Sequence, residues 1–192
     1  MKIISDNTDY YDEMLKQYGN NGIVLDRTAN MNKIESIKKL KNLGFETIDI
    51  TSVRNARSDK LVVYTDINSH CGKGKTVMYR DEALGAYCNK FCSEYYYNNP
   101  KTHKLLFVGG TMYSLIINNV GLVETEVEQF AEIGGKKIVG LDSIIYSIDY
   151  VVDGSGKSIA CSLNEMPILK HLVNIEEVLP ASIVVNKINN FI

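Results

Sequence analysis

The sequence predicts an α+β fold, a mostly antiparallel sheet with three to five helices, in a single domain over residues 1–192. Three observations point there. Segments with strand patterning are joined by apparent hairpins more often than by the helices that parallel strands need. Apolar stripes at helical spacing end at Gly or at an Asn-Asn-Pro stop. The 192 residues, 45% hydrophobic and 23% charged, have the composition of an ordinary globular domain with a sizeable core.

The elements follow in order. Asp6 or Asn7 caps a first helix whose Tyr11, Met14, Leu15 and Tyr18 share one face, and Gly19 ends it. Tyr10 is rotated about 100° away from Tyr11, on the exposed side, where it is available to a partner. Ile23-Val24-Leu25 reads as a short strand. Asn30 caps a second helix with Met31, Ile34, Ile37, Leu40 and Leu43 as its stripe, closed by Gly44. FETIDITSV (45–53) and KLVVYTDI (60–67) read as strands. From Asp81, the residues Leu84, Tyr87, Cys88, Phe91, Cys92 and Tyr95 predict a helix to about residue 96, with both cysteines in the core. KLLFVGGTMYSLII (104–117) is two strands, or one bulged strand, around Gly109-Gly110. The glutamates of Val123–Ile133 fit both periods; the segment is read as a helix ended by Gly134-Gly135. KKIVGL, SIIYSIDYVV and SIACSL follow as strands. Pro180 opens a last helix with Val184, Ile188 and Phe191 inward.

The net charge of -2 conceals a split. Residues 33–104 hold thirteen Lys/Arg against eight Asp/Glu, whereas residues 105–192 hold five against ten. Such asymmetry suits an anionic partner or a self-complementary homo-oligomer, unless the fold intermixes the halves. Apolar runs are too short to span a membrane, and the N-terminus lacks a signal peptide, so a cytoplasmic protein is expected. Its four cysteines should be reduced thiols.

CGKGKT (71–76) and DGSGKS (153–158) look like phosphate-binding loops of nucleotide hydrolases. Such a loop needs Gly-x4-Gly-Lys-Ser/Thr between a buried strand and a long helix. The first Gly is replaced by Ser69 in one and Val151 in the other, and no long helix follows either. Both read instead as hairpin connections, LVVYTDI to TVMYR and YSIDYVV to SIACSL. Anion binding without hydrolysis by Lys73, Lys75 or Lys157 remains open.

His70, Cys71, Cys88, Cys92 and His103 are zinc-ligand types, but their spacing fits no common finger and Cys88 and Cys92 fit an apolar face. No metal and no cofactor is expected. A nucleophilic pair of Cys71 with His103 or His171 has no local motif behind it. Tyr95-Tyr96-Tyr97 and the basic residues after it resemble a single-strand stacking patch, which a net acidic chain makes a poor basis for nucleic-acid binding.

Lys2-Ile-Ile-Ser5, Asp9-Tyr-Tyr-Asp12, Tyr18-Gly19 and Asp26-Arg27 resemble the opening of an uncharacterised family found in bacteria and bacteriophages. Val108-Gly-Gly-Thr-Met-Tyr113 is similar to that family's Phe-Cys-Gly-Lys-Leu-Tyr motif, without its Cys and Lys. Met166-Pro-Ile-Leu169, Val178-Leu-Pro180 and Ile188-Asn-Asn-Phe191 resemble its closing segments. The resemblance implies a phage or prophage setting and carries no catalytic residue.

The leading reading is a phage-type binding protein without recognisable catalytic machinery, acting on a host protein or a small anionic ligand. Its candidate binding residues are Tyr10, Lys73, Lys75, Arg80 and Lys157. The alternative is an enzyme acting on a nucleotide or nucleic acid; a third is a virion structural component.

Overall fold

The structure, a computed structural model, describes residues 31–68, 74–96, 101–134, 138–141, 145–152, 155–165, 167, 169 and 172–191. The predicted first helix, the strand at 23–25, Tyr10 and Lys73 lie outside the described residues.

Helix α1 (Lys33–Asn42) starts two residues later than Asn30 would place it. Asn32 is the cap: its Oδ1 accepts from the N–H groups of Ile34 and Glu35, both at 3.0 Å, and Glu35 accepts from the Asn32 N–H. The reciprocal box needs an acid three residues on, which Asn32 has in Glu35 and Asn30 lacks, having Lys33. Asn32→Ala should therefore lower stability by about 1 kcal/mol in urea unfolding. Gly44, at φ +86, ends the helix as predicted.

A first sheet of order β1-β4-β2-β3 comprises β1 (Thr51–Ser52), β2 (Lys60–Tyr64), β3 (Lys75–Tyr79) and β4 (Phe91–Glu94), with helix α2 (Arg80–Tyr87) between β3 and β4. The β2–β3 hairpin is the one expected, running from Lys60↔Tyr79 to Tyr64↔Lys75. Of FETIDITSV only Thr51–Ser52 is a strand, with a single parallel bridge from Thr47 to Ala160. The helix predicted to residue 96 stops at Tyr87. Phe91, Cys92 and Ser93 are claimed by pairing with β1 and β2, which overrides their helical spacing. Cys92 is buried, on a strand, while Cys88 is only half-buried.

The second sheet, order β7-β6-β5-β8-β9, is antiparallel throughout. It comprises β5 (Lys101–Val108), β6 (Thr111–Val120), β7 (Val123–Glu132), β8 (Ile145–Val152) and β9 (Ser158–Asn164). Segment 123–133 is thus a strand and not a helix. It folds back from β6 through Gly121, at φ +63, with two register shifts, and buries Val127. On its outer side Val173 N–H donates to Thr125 O, and the Asn174 amide bonds both N–H and C=O of Val127 at 2.9 and 2.8 Å. The described part of KKIVGL, residues 138–141, is a turn.

One face of this sheet packs Phe107, Tyr146 and Ile148 against Ile37 and Leu40 of α1, with Phe107 and Tyr146 stacked at 4.8 Å. The other packs Leu106, Val108, Leu115 and Ile145 against α3 (Ile175–Val178) and α4 (Ala181–Phe191), which inserts Val184 and Ile188 as predicted. Gly109, at φ +47, lies so near α4 that a Cβ there would strike the backbone of Lys187 and Ile188. Together these elements make the α+β architecture read from the sequence. Among the described residues no helix is long and apolar enough to cross a membrane.

Candidate functional site

The two sheets meet at the N-terminus of α1, a part of the fold that carries charged side chains from five elements, α1, β3, β5, β7 and β8. Backbone bonds fix the junction: Lys33 N–H donates to Ile67 O just beyond β2, and Ser36 Oγ accepts from Leu163 N–H of β9 at 2.7 Å. The Lys33 ammonium donates to the Cys161 carbonyl of β9 and lies 5.9 Å from the Tyr64 ring centroid. Tyr64 is buried at the end of β2, its hydroxyl bonded to Ser93 Oγ at 3.0 Å, and burial pushes its phenol up to about 12.

Lys75 opens β3 opposite Tyr64, directly after Gly74 at φ +63. Burial and then the Lys33 charge lower the Lys75 ammonium from its ordinary value, while Tyr64, Cys161 and Asp149 act the other way. Lys104 of β5 is 3% exposed and faces Asp149 of β8 across the strand pair. Its Nζ lies 2.5 Å from Asp149 Oδ1 and 3.3 Å from Glu124 Oε1. Asp149 Oδ1 also accepts from Ser147 Oγ at 3.3 Å, and its Oδ2 accepts from Asn164 Nδ2 at 2.9 Å. Burial opposes the Lys104 charge, yet Asp149 and Glu124 outweigh burial and hold the ammonium above its ordinary value. The Cys161 thiol is buried, and burial pushes it up against the pull of Lys33, Lys75 and Lys104.

Of the five residues picked from the sequence, Lys75 alone is placed here. Tyr10 and Lys73 fall outside the described residues. Arg80 serves the fold: its Nε donates to Ala56 O at 2.7 Å, tying the start of α2 to the loop before β2. Lys157 pairs with Glu46 at 2.6 Å on the exposed β8–β9 turn. Lys33, Lys104 and Asp149 were missed, although a lone Lys in THKLLFV and a lone Asp in SIIYSIDYVV were signals. Charged residues inside buried strands are rare unless paired. Lys33 and Lys75 both adjoin Tyr64, and an ammonium, a compact charge with several donors, is a group suited to an anion.

No protein-family model matches the chain, and no curated protein is similar to it in sequence. Solved structures are similar in fold. The ATP-grasp ligase PsnB, complexed with a phosphomimetic variant of minimal precursor, Mg and ADP, has a TM-score of 0.60 at 12% identity. That likeness covers 93% of this chain and 65% of PsnB. N5-carboxyaminoimidazole synthetase from Staphylococcus aureus, complexed with ADP, has a TM-score of 0.56 at 11% identity, over 88% of this chain and 54% of the synthetase. The macrocyclase MdnC from Microcystis aeruginosa MRC, bound with precursor peptide MdnA, has a TM-score of 0.53 at 14% identity, over 97% and 74% of the two chains. This chain therefore spans between about half and three quarters of the length of those proteins.

The expected phage-type binding protein, with a host protein or free anion as partner, is corrected by these likenesses. The shared fold suits the alternative reading, an enzyme acting on a nucleotide or nucleic acid, better than the expected one, and lends nothing to a host-interaction role. The hairpin places Lys75 opposite Tyr64 without a classical hydrolase loop. Over nine-tenths of its length, this chain has the fold of the ATP-grasp ligase PsnB.

Proposed function

We propose that the chain binds the phosphates of a nucleoside di- or triphosphate where its two sheets meet, as part of an ATP-dependent ligase. The observation that carries this reading is the meeting of Lys33 of α1 and Lys75 of β3 at Tyr64: the Lys33 ammonium lies 5.9 Å from its ring, and Lys75 is its cross-strand partner. Partial burial strengthens each ammonium–phosphate attraction relative to water. The ADP in the PsnB and synthetase complexes supports a nucleotide, and the peptide in the MdnC complex supports a peptide as acceptor. Dependence on a nucleoside triphosphate fits a protein of the cytoplasm.

The PsnB complex also holds Mg. The residues here do not fit a divalent ion. Mg takes six oxygens at about 2.0–2.1 Å, usually with one or two carboxylates among them. Both oxygens of Asp149 are already engaged, by Lys104 and Ser147 on one side and Asn164 on the other. Glu124 shares the same ammonium. A divalent ion about 4 Å from that ammonium would be repelled by on the order of 8 kcal/mol at an effective dielectric of about 20. Among the described residues, no three His, Cys, Asp or Glu side chains gather to hold a metal.

Calorimetric titration with ADP tests the reading. Binding is expected, and Lys75→Ala and Lys33→Ala should each weaken it by about tenfold, equivalent to the loss of one charge-assisted hydrogen bond. Lys157→Ala should leave it unchanged. Failure of the native chain to bind ADP or ATP would sink the proposal.

A further inference from the structure

Lys104 holds a position that a charge seldom takes. It is 3% exposed, yet its ammonium meets two carboxylates, Asp149 at 2.5 Å and Glu124 at 3.3 Å. We propose that this ammonium is the resident cation of the site, standing where a divalent ion would otherwise balance Asp149. The chain then takes its nucleotide through lysine ammonium groups, with no metal bound to Asp149. The inference rests on the nucleotide reading above and adds metal independence to it.

Three features of the cluster carry it. The carboxylate is spoken for on every side: Lys104 and Ser147 donate to Oδ1, and Asn164 donates to Oδ2. An inner-sphere metal bond to Asp149 requires breaking at least one of these. Replacing the ammonium would also leave a buried Lys beside the incoming ion, without partners, in surroundings that penalise an unpaired charge. Finally, Lys33 and Lys75, both beside Tyr64, add two further ammonium groups, which favours a polyanion without help from a metal.

Titration of ADP into the full chain in EDTA, and separately in magnesium, reads the inference directly. The dissociation constants should agree within about threefold. Lys104→Gln should weaken binding in EDTA by about tenfold or more and recover it in magnesium, because Asp149 and Glu124 are then released to hold the ion. Lys104→Arg should stay indifferent to magnesium. A role in folding alone would produce no such rescue. If Lys104→Gln binds ADP alike in EDTA and magnesium, the inference is overturned. If the native chain binds at least about tenfold more tightly with magnesium, and Asp149→Asn removes that gain, the inference falls while the nucleotide reading stands. If the native chain binds no ADP under either condition, both fall. Should Lys104→Gln fail to fold, the comparison on the native chain decides.

Discussion

Asp149→Leu should lower the unfolding free energy by about 3–5 kcal/mol, the loss expected when one partner of a buried ion pair is removed. The variant strands Lys104 at 3% exposure with Glu124 alone to answer its charge, and it also leaves Asn164 and Ser147 without their shared acceptor. Urea unfolding followed by far-ultraviolet circular dichroism measures the loss. Lys104→Met combined with Asp149→Leu should recover most of it, because a buried pair replaced by apolar groups of similar volume is often neutral. If the double variant is no more stable than Asp149→Leu, the pair is not the origin of the effect. The pH dependence follows from the same geometry. The folded Lys104 value lies above the unfolded one, so its stabilisation is complete below about 10.4 and fades as pH rises through the folded value. The gap between native chain and Asp149→Leu should therefore be flat through neutral pH and narrow only in strong alkali.

Gly109→Ala should be comparably damaging, at roughly 2–5 kcal/mol. Two penalties add. An L residue at φ +47 costs about 1–2 kcal/mol, and overpacking a close contact costs about 1–3 kcal/mol or more. The obstacle is the backbone of α4, at Lys187 and Ile188, and no side-chain rotation relieves it. The helix must move away, withdrawing Val184 and Ile188 from Leu106 and Val108. Gly121→Ala isolates the first penalty: it has φ +63 and nothing within 4 Å of the added Cβ, so it should lose only the backbone share. Equal losses for the two variants in thermal unfolding would show that α4 does not press on the β5–β6 turn.

The elements legible in the sequence were those with both a periodic stripe and a marked end. Helix α1 had Ile37 and Leu40 with Gly44 behind them, and α4 had Val184 and Ile188 after Pro180. Two hairpins, β2–β3 and β8–β9, were read from strand patterning and turn residues alone. Two of the segments that went wrong did so for definable reasons. Tyr87, Cys88, Phe91 and Cys92 keep helical spacing across a boundary that no Gly or Pro marks, and pairing with β1 and β2 decides the outcome at Phe91. Val123–Glu132 lies at the edge of its sheet, so most of its outward residues are polar and its burial is confined largely to Val127. Little hydrophobic alternation was left to read. The site was legible only at Lys75, where a glycine-rich turn drew notice. Lys104 and Asp149 lie 45 residues apart, and their meeting depends on the β5–β8 register, which the sequence does not display.

The bonds from Asn174 to Val127 bear on the behaviour of the chain in company. A ten-residue outer strand offers a row of vacant peptide groups that another copy can extend, which is how sheets grow into fibres. In β7 the amide of Asn174 mimics a neighbouring strand for one residue, Val173 N–H fills the place beside it at Thr125, and the exposed carboxylates of Glu126 and Glu128 flank Val127. A foreign strand arriving there finds the central positions taken, with the Glu126 carboxylate on one side and the Lys101–Glu128 ion pair on the other. The loop before α3 thus works as a stopper against self-association, with the Asn174 amide as its central contact.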